Sequence, residues 1–168
     1  LVAYDSSADM VQDFTPGKDL LKRALGGIKY GNTPYLLDAV YAAIDGGFRG
    51  STFRRAIVLL TSGFEGPSRM REWEVVKLAR RDGVSIYPVY VVGAARGLFE
   101  NLARQTGGAS FNLRDMSKDR GVNPAQRIFE VLRSYYTLTL TGNLTLGDRV
   151  KVEVKRPQKL QVSALPLD

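Results

Sequence analysis

The 168-residue sequence contains no histidine and no cysteine. Imidazole and thiolate are the commonest general bases, activated nucleophiles and soft-metal ligands, so Ser-His-Asp and Cys-His mechanisms and every Cys/His zinc site are excluded within this chain. Carboxylate, hydroxyl and lysine chemistry is left, and oxygen-liganded cations such as Mg²⁺ or Ca²⁺ stay open. Also missing are an apolar run of transmembrane length and the charged-then-apolar pattern of a signal peptide, so no direct membrane insertion is expected. No repeat of solenoid period and no low-complexity tract interrupts the chain.

What is present fits one core. Hydrophobic residues make up 44% of the sequence, ordinary for a globular domain of this length. The formal net charge is +7, yet the basic residues are spread along the chain, with local pairs at Lys22-Arg23, Arg54-Arg55 and Arg80-Arg81. Scattered cations describe a solvated face, and no nucleic-acid partner is expected.

Periodicity orders the elements. "LVAYDSSADMVQDFT" reads as a β-hairpin turning at Asp5-Ser6-Ser7, and "GKDLLKRALGGI" as a helix with Leu20, Leu21, Ala24, Leu25 and Ile28 on one stripe. A helix "YLLDAVYAAIDGGF" follows, with Asp38 in its first turn as a partner of the helix dipole. "AIVLLTSGFEG" is an apolar run breaking abruptly into Thr61-Ser62-Gly63, the pattern of a buried parallel strand whose carboxyl end faces a ligand edge. "MREWEVVKLARRDG" reads as a helix and "VSIYPVYVV" as a strand, where Pro88 argues for an edge, a bulge or a bend. "GLFENLARQTGG" is a helix, "ASFNL" a short strand, and "NPAQRIFEVLRSYY" a helix capped by Asn123 with Pro124 at its first position. Alternating strands and helices predict an α/β fold: a doubly wound, mostly parallel, Rossmann-like sheet with flanking helices. "YYTLTLTGN", "RVKVEVKRP" and "LQVSALPL" alternate with period two and predict C-terminal antiparallel β strands.

These segments, in this order, resemble the von Willebrand factor type A (VWA) domain, and most closely a bacterial VWFA-related subgroup. The resemblance rests on "LVAYDSSADMVQDFT", "YGNTPYLLDAVYAAI", "AIVLLTSGFEG", "LARRDGVSIYPVYVVG" with "LARQTGGASFNL", and the tail "SYYTLTLTGNLTLGDRVKVEVKRP". It implies a VWA-like domain over residues 1–134 and a β extension packed on it over 135–168. In the family the first strand lies mid-sheet and is followed by Asp-x-Ser-x-Ser. Residues 1–168 lack both, which predicts two open edges and a gap to be filled by an earlier or another segment.

The family's cation site uses that Asp-x-Ser-x-Ser, a loop Thr and a third-loop Asp. Thr33 matches the Thr, Ser62 stands where the Asp would be, and "DSSAD" at 5–9 lies in the hairpin and does not replace the missing segment. Two neutral hydroxyls do not repay the dehydration of a hard dication, which takes about six oxygens. The resemblance therefore implies a degenerate metal-ion-dependent adhesion site. No cofactor is expected, with weak Mg²⁺ or Ca²⁺ binding only if upstream residues complete the site.

The resulting expectation is a non-enzymatic, secreted or envelope-located adhesion module. It would bind a protein partner through the loops carrying Asn32, Thr33 and Pro34 and Thr61, Ser62, Gly63, Phe64 and Glu65. The alternative is a structural or assembly domain of a larger bacterial envelope protein. Other signals reduce to plain readings. "GGIKYGNT" has phosphate-loop spacing, but Asn32 stands where Lys is needed and the segment follows a helix. Ser62 lacks the preceding Gly of a nucleophile elbow and any His. "GGFRGSTFRR" could offer an anion its amides and Arg54-Arg55, or simply connect a helix to a strand. Trp73 reads as helix packing, and Asn143-Leu144-Thr145 as a turn.

Overall fold

A computed structural model describes residues 1–29, 31–51, 53–118, 123–134 and 141–142 of the chain. The predicted C-terminal strands and the 135–168 extension fall outside the described residues.

Two apolar runs form the spine. β3 (Arg55–Thr61) and β4 (Val84–Tyr90) pair in parallel from Arg55↔Val84 to Thr61↔Tyr90, and β5 (Phe111–Asn112) adds to the far side of β4, giving the order β3-β4-β5. Strand residues alternate between faces. Leu59, Ile86 and Tyr90 therefore point into one core layer with the half-buried Ile57, while Tyr87, Val89 and Phe111 point into another.

The first layer is covered by α2 (Leu36–Gly47), α3 (Glu72–Arg81) and α4 (Arg96–Thr106). Each was read as a helix, and the apolar face of each is what is buried: Leu36, Val40 and Ile44, then Val75 and Leu78, then Phe99 and Leu102. Phe99 packs on Tyr90 with ring centroids 4.8 Å apart, and burial of such a side chain stabilises the fold by about 1.5–3 kcal/mol. Gly107, at φ 74°, closes α4, and the Gly108 N–H returns to the Ala103 carbonyl at 2.9 Å.

The second layer is covered by α6 (Pro124–Arg133), through Ile128, Val131 and Leu132. Its start is the one predicted, with the Asn123 side chain accepting from the Ala125 and Gln126 N–H groups at 2.9 and 3.4 Å. α5 (Leu113–Met116), a single turn capped by Asn112, was not anticipated. Arg54 and Arg55 are spent on the fold. Arg54 donates to the Leu132 carbonyl and to Tyr87 Oη, and Arg55 donates to the Asp82 and Ser51 carbonyls at 2.8 Å each.

The hairpin is β1 (Val2–Tyr4) with β2 (Ala8–Met10), antiparallel and in a sheet separate from β3-β4-β5. α1 (Lys18–Gly26) follows it with no residue buried, so its predicted stripe has found only partial cover.

Two expectations need correction. Pro88 lies in the middle strand, buried, not at an edge. The Ile86 N–H, on the β5 side, donates to Thr106 Oγ1 at 3.0 Å, and β5 pairs only from Val89 onward. Pro88 turns its nitrogen to that same side two residues on, so its missing N–H costs no ladder bond to β3. Trp73 is 59% exposed, because it sits on the outer face of α3 while Val75, Val76 and Ala79 take the inner one.

Candidate functional site

The loop after β3 is placed by close backbone approach. At Gly63, φ is 112° and an added Cβ would lie 1.9 Å from the Val92 carbonyl oxygen; at Gly66 it would lie 2.1 Å from that of Pro34. Only glycine allows both. The Val92 N–H donates to the Ser62 carbonyl at 2.8 Å, and Thr61 Oγ1 accepts from the Gly63 N–H at 3.2 Å. Ser68 Oγ accepts the Leu37 N–H at 3.1 Å, satisfying one free amide at the start of α2. Asp38 accepts from the Arg69 and Met70 N–H groups at 3.1 and 2.7 Å. It tethers this loop to α2 besides sitting at the positive end of the helix.

The other loop is held by the hairpin. Asp5 Oδ1 accepts the Thr33 N–H at 2.8 Å, and the Asp5 carbonyl accepts the Tyr35 N–H at 2.8 Å. Gly31 packs directly under that carboxylate, leaving 1.7 Å between an added Cβ and Asp5 Oδ2. Tyr4, the residue before, reaches from β1 to the Thr61 side chain at the end of β3. Burial pushes its phenol above the usual tyrosine range, and the Thr61 hydrogen bond works the other way.

The structure brings Asn32, Pro34, Thr61, Ser62 and Phe64 onto the wall of one groove of about 920 Å³. Thr33, Gly63 and Glu65 lie on the same two loops but not on that wall. Thr33 and Ser62 are exposed, Phe64 is 52% exposed, and Glu65 has no ion-pair partner among the described residues. Below these loops the wall is apolar, with Met10, Phe14, Leu25, Val58 and Leu60. Sequence reading missed Asp5, Tyr4 and Gly31 as supports, since their partners lie 26 or more residues away and carry no local signal.

The fold family's cation does not fit this donor set. At the two matched positions stand the hydroxyls of Thr33 and Ser62. The neighbouring carboxylates are committed, Asp5 to a loop amide and Asp38 to two. Among the described residues no three Asp or Glu side chains gather where they could hold a metal. The described helices include none long and apolar enough to cross a membrane.

No protein-family model matches the sequence, and no curated protein matches it. Solved structures do. Proximal thread matrix protein 1 of the mussel byssus aligns at TM-score 0.60 and 17% identity, over 77% of this chain and 34% of that one. A second structure of that protein, with a zinc-occupied MIDAS motif, aligns at TM-score 0.60 and 12% identity, over 78% and 35%. The SpRpn10 VWA domain aligns at TM-score 0.49 and 15% identity, over 66% of this chain and 61% of that one. The chain thus spans about a third of the mussel protein's length. The parallel β3-β4-β5 sheet, helices on both its faces and the separate antiparallel pair make this a von Willebrand factor type A-like fold.

Proposed function

We propose that this chain is a non-enzymatic protein-interaction module that presents the loops at 31–35 and 61–66 to a protein partner without a resident cation. The observation that carries the reading is the construction of that edge. Two loops are fixed by Asp5 and Asp38 and display a half-exposed aromatic ring, Phe64, beside a carboxylate, Glu65, that has no ion-pair partner among the described residues, and the hydroxyls of Thr33 and Ser62. Recognition residues on loops held by a rigid sheet are the usual form of a binding edge. An apolar ring with a polar rim is what a protein partner buries most productively. The chain offers no imidazole and no thiol for catalysis, and among the described residues no three carboxylates gather where they could hold a metal. An extracytoplasmic setting, secreted or in an envelope, belongs to this reading.

A photo-crosslinking residue at Phe64, with one at the exposed Lys118 as control, tests it in the source cells. A discrete protein adduct from position 64 alone, unchanged by EDTA, is expected; equal labelling from both positions overturns the reading. Isothermal titration with Mg²⁺, Mn²⁺ and Ca²⁺ tests the cation half. Micromolar binding that Thr33→Ala abolishes would overturn it.

A further inference from the structure

α3 has spent its inner face on the core, through Val75, Val76, Leu78 and Ala79. Its outer face carries Trp73, Lys77 and Arg80, which the helical repeat stacks one above another in a single stripe. Trp73, the one tryptophan of the chain, is 59% exposed, and no ring or cation stacks on it among the described residues. A ring so placed forfeits the burial that makes tryptophan an anchor of cores and interfaces alike.

The stripe borders a groove of about 700 Å³ along α3, where the buried Val76 supplies apolar lining and Gln105 the α4 side. Three bases line it, Arg71, Lys77 and Arg80, against one acid, Glu72. None of the three is ion-paired among the described residues, whereas Arg81, on the same helix, holds Asp82 at 2.7 Å. The acids of α3 are directed elsewhere. Glu72 accepts from Asn101 Nδ2 of α4 at 2.7 Å, and Glu74 accepts the Arg71 N–H at 2.8 Å, closing the helix start. Lys77 and Arg80 are thus like charges three residues apart on one helix face, a spacing that disfavours the helix unless an anion lies over both.

Charge complementarity narrows the occupant. From Trp73 to Arg80 the helix rises about 10 Å, the span of roughly three residues of extended peptide. A nucleic-acid surface needs cations enough to neutralise a row of phosphates, and Glu72 interrupts this one. Residues 135–168 are net basic and do not supply an acidic segment. We infer that the outer face of α3 docks a short acidic segment of a protein partner, with one apolar or aromatic side chain packed on Trp73 and neighbouring carboxylates paired with Lys77 and Arg80. Aromatic and arginine side chains are where interface energy concentrates, and a packed ring excludes water from the ion pairs beside it. The site uses helix side chains and no rim residue, so it goes beyond the loop reading and is tested apart from it.

Trp73 is its own reporter. Titrating residues 1–168 with a synthetic peptide of one phenylalanine with three glutamates on either side should give a saturable blue shift of the tryptophan emission. Anisotropy of the dye-labelled peptide should give the same Kd. Lys77→Gln/Arg80→Gln should weaken binding tenfold or more, and so should glutamine in place of the peptide's glutamates. Trp73→Ala, read by anisotropy, should weaken it several-fold. Lys22→Gln/Arg23→Gln, the same change of charge at exposed positions of α1, should alter it less than twofold, as should Phe64→Ala at the loop rim. All the replaced side chains are exposed, and circular dichroism checks the fold. No saturation by about 1 mM peptide, equal binding of the glutamine peptide, or equal loss in the Lys22→Gln/Arg23→Gln protein overturns the proposal. So does displacement of the peptide by a lower concentration of a single-stranded oligonucleotide of matched charge, which would make the stripe a nucleic-acid surface. A concentration-dependent blue shift without peptide overturns it as well, by making the stripe a contact between copies. Loss of the peptide in Phe64→Ala overturns it by moving the acid to the rim, whereas a failed Phe64 crosslink with peptide binding intact overturns the loop reading alone.

Discussion

Asp5 and Thr33 lie 28 residues apart and are joined by one hydrogen bond of 2.8 Å, from the Thr33 N–H to the Asp5 carboxylate. The hairpin thus sets the conformation of a loop that belongs to the opposite end of α1. Asp5→Ala should destabilise the fold by about 1.5 kcal/mol, the low end for a hydrogen bond to a charged acceptor. Urea unfolding reads the loss, and faster exchange of the Thr33 and Tyr35 amides locates it. Gly31→Ala drives a methyl into the same carboxylate. A double-mutant cycle should show strong coupling, with Gly31→Ala costing at most half as much once Asp5 is alanine.

Gly63 is the tightest point of the second loop, where positive φ and the Val92 carbonyl both exclude a side chain. Gly63→Ala should cost ~3 kcal/mol, since backbone strain and a steric clash add. The lowered urea midpoint measures it. The same substitution at Gly97, where no atom lies within 4 Å of an added Cβ, should be neutral or slightly stabilising.

The contrast between these two glycines marks what the sequence could tell. Wherever the signal is local it was legible: the helix in "MREWEVVKLARRDG", the five apolar residues of β3, the Asn123-Pro124 helix start. Both loops of the candidate site were also legible, because an apolar strand that breaks into Thr-Ser-Gly advertises its own end. What holds those loops was not. Asp5 meets Thr33, Asp38 meets Met70 and Gly66 meets Pro34 across distances at which no pattern links them. Pro88 misled for the same reason: its strand is central because β5, far along the chain, pairs with it from Val89 onward, and Thr106, on another later element, accepts the Ile86 N–H. Trp73 misled because apolar spacing on α3 is satisfied by its neighbours, leaving the largest ring outside.

Asp38 joins α2 to the segment leading into α3 through two backbone amides. Asp38→Ala should cost about 2 kcal/mol, combining two charge-assisted hydrogen bonds with a favourable helix-dipole position, partly offset by hydration of the freed amides. Asp38→Asn retains one good acceptor and should recover roughly half. Thermal unfolding of the three proteins side by side makes the comparison. An Asp38→Ala protein that also loses the Phe64 crosslink would show that the tether positions the rim.

Tyr4 gives the fold an alkaline limit. Its phenol is raised above the ordinary value, chiefly by burial, so the folded chain holds that proton more tightly than the unfolded one. The stability this contributes is fully present below the unfolded pKa, about 10, and is lost as pH rises through the higher folded value. Tyr90, raised by burial as well, acts in the same direction. Tyr4→Phe should flatten part of the fall in stability above pH ~10 and remove one late-titrating phenol from the ultraviolet titration. Unfolding free energies at neutral and alkaline pH check the first, and absorbance near the tyrosinate band checks the second.

Thr106 is the buried polar side chain on which the central strand depends. Its Oγ1 accepts the Ile86 N–H at 3.0 Å and donates to the Leu102 carbonyl at 2.7 Å, so one hydroxyl completes both a helix and a sheet edge. Thr106→Val keeps the volume and removes the oxygen, leaving the Ile86 N–H buried without a partner. The cost should be ~1–3 kcal/mol, the desolvation penalty of an orphaned donor, although valine is the more apolar residue. Thr106→Ser restores the hydroxyl, loses a methyl, and should cost less than half as much. If the valine variant proves as stable as the parent in urea, Ile86 does not need this bond, and the account of how Pro88 is accommodated in β4 fails with it.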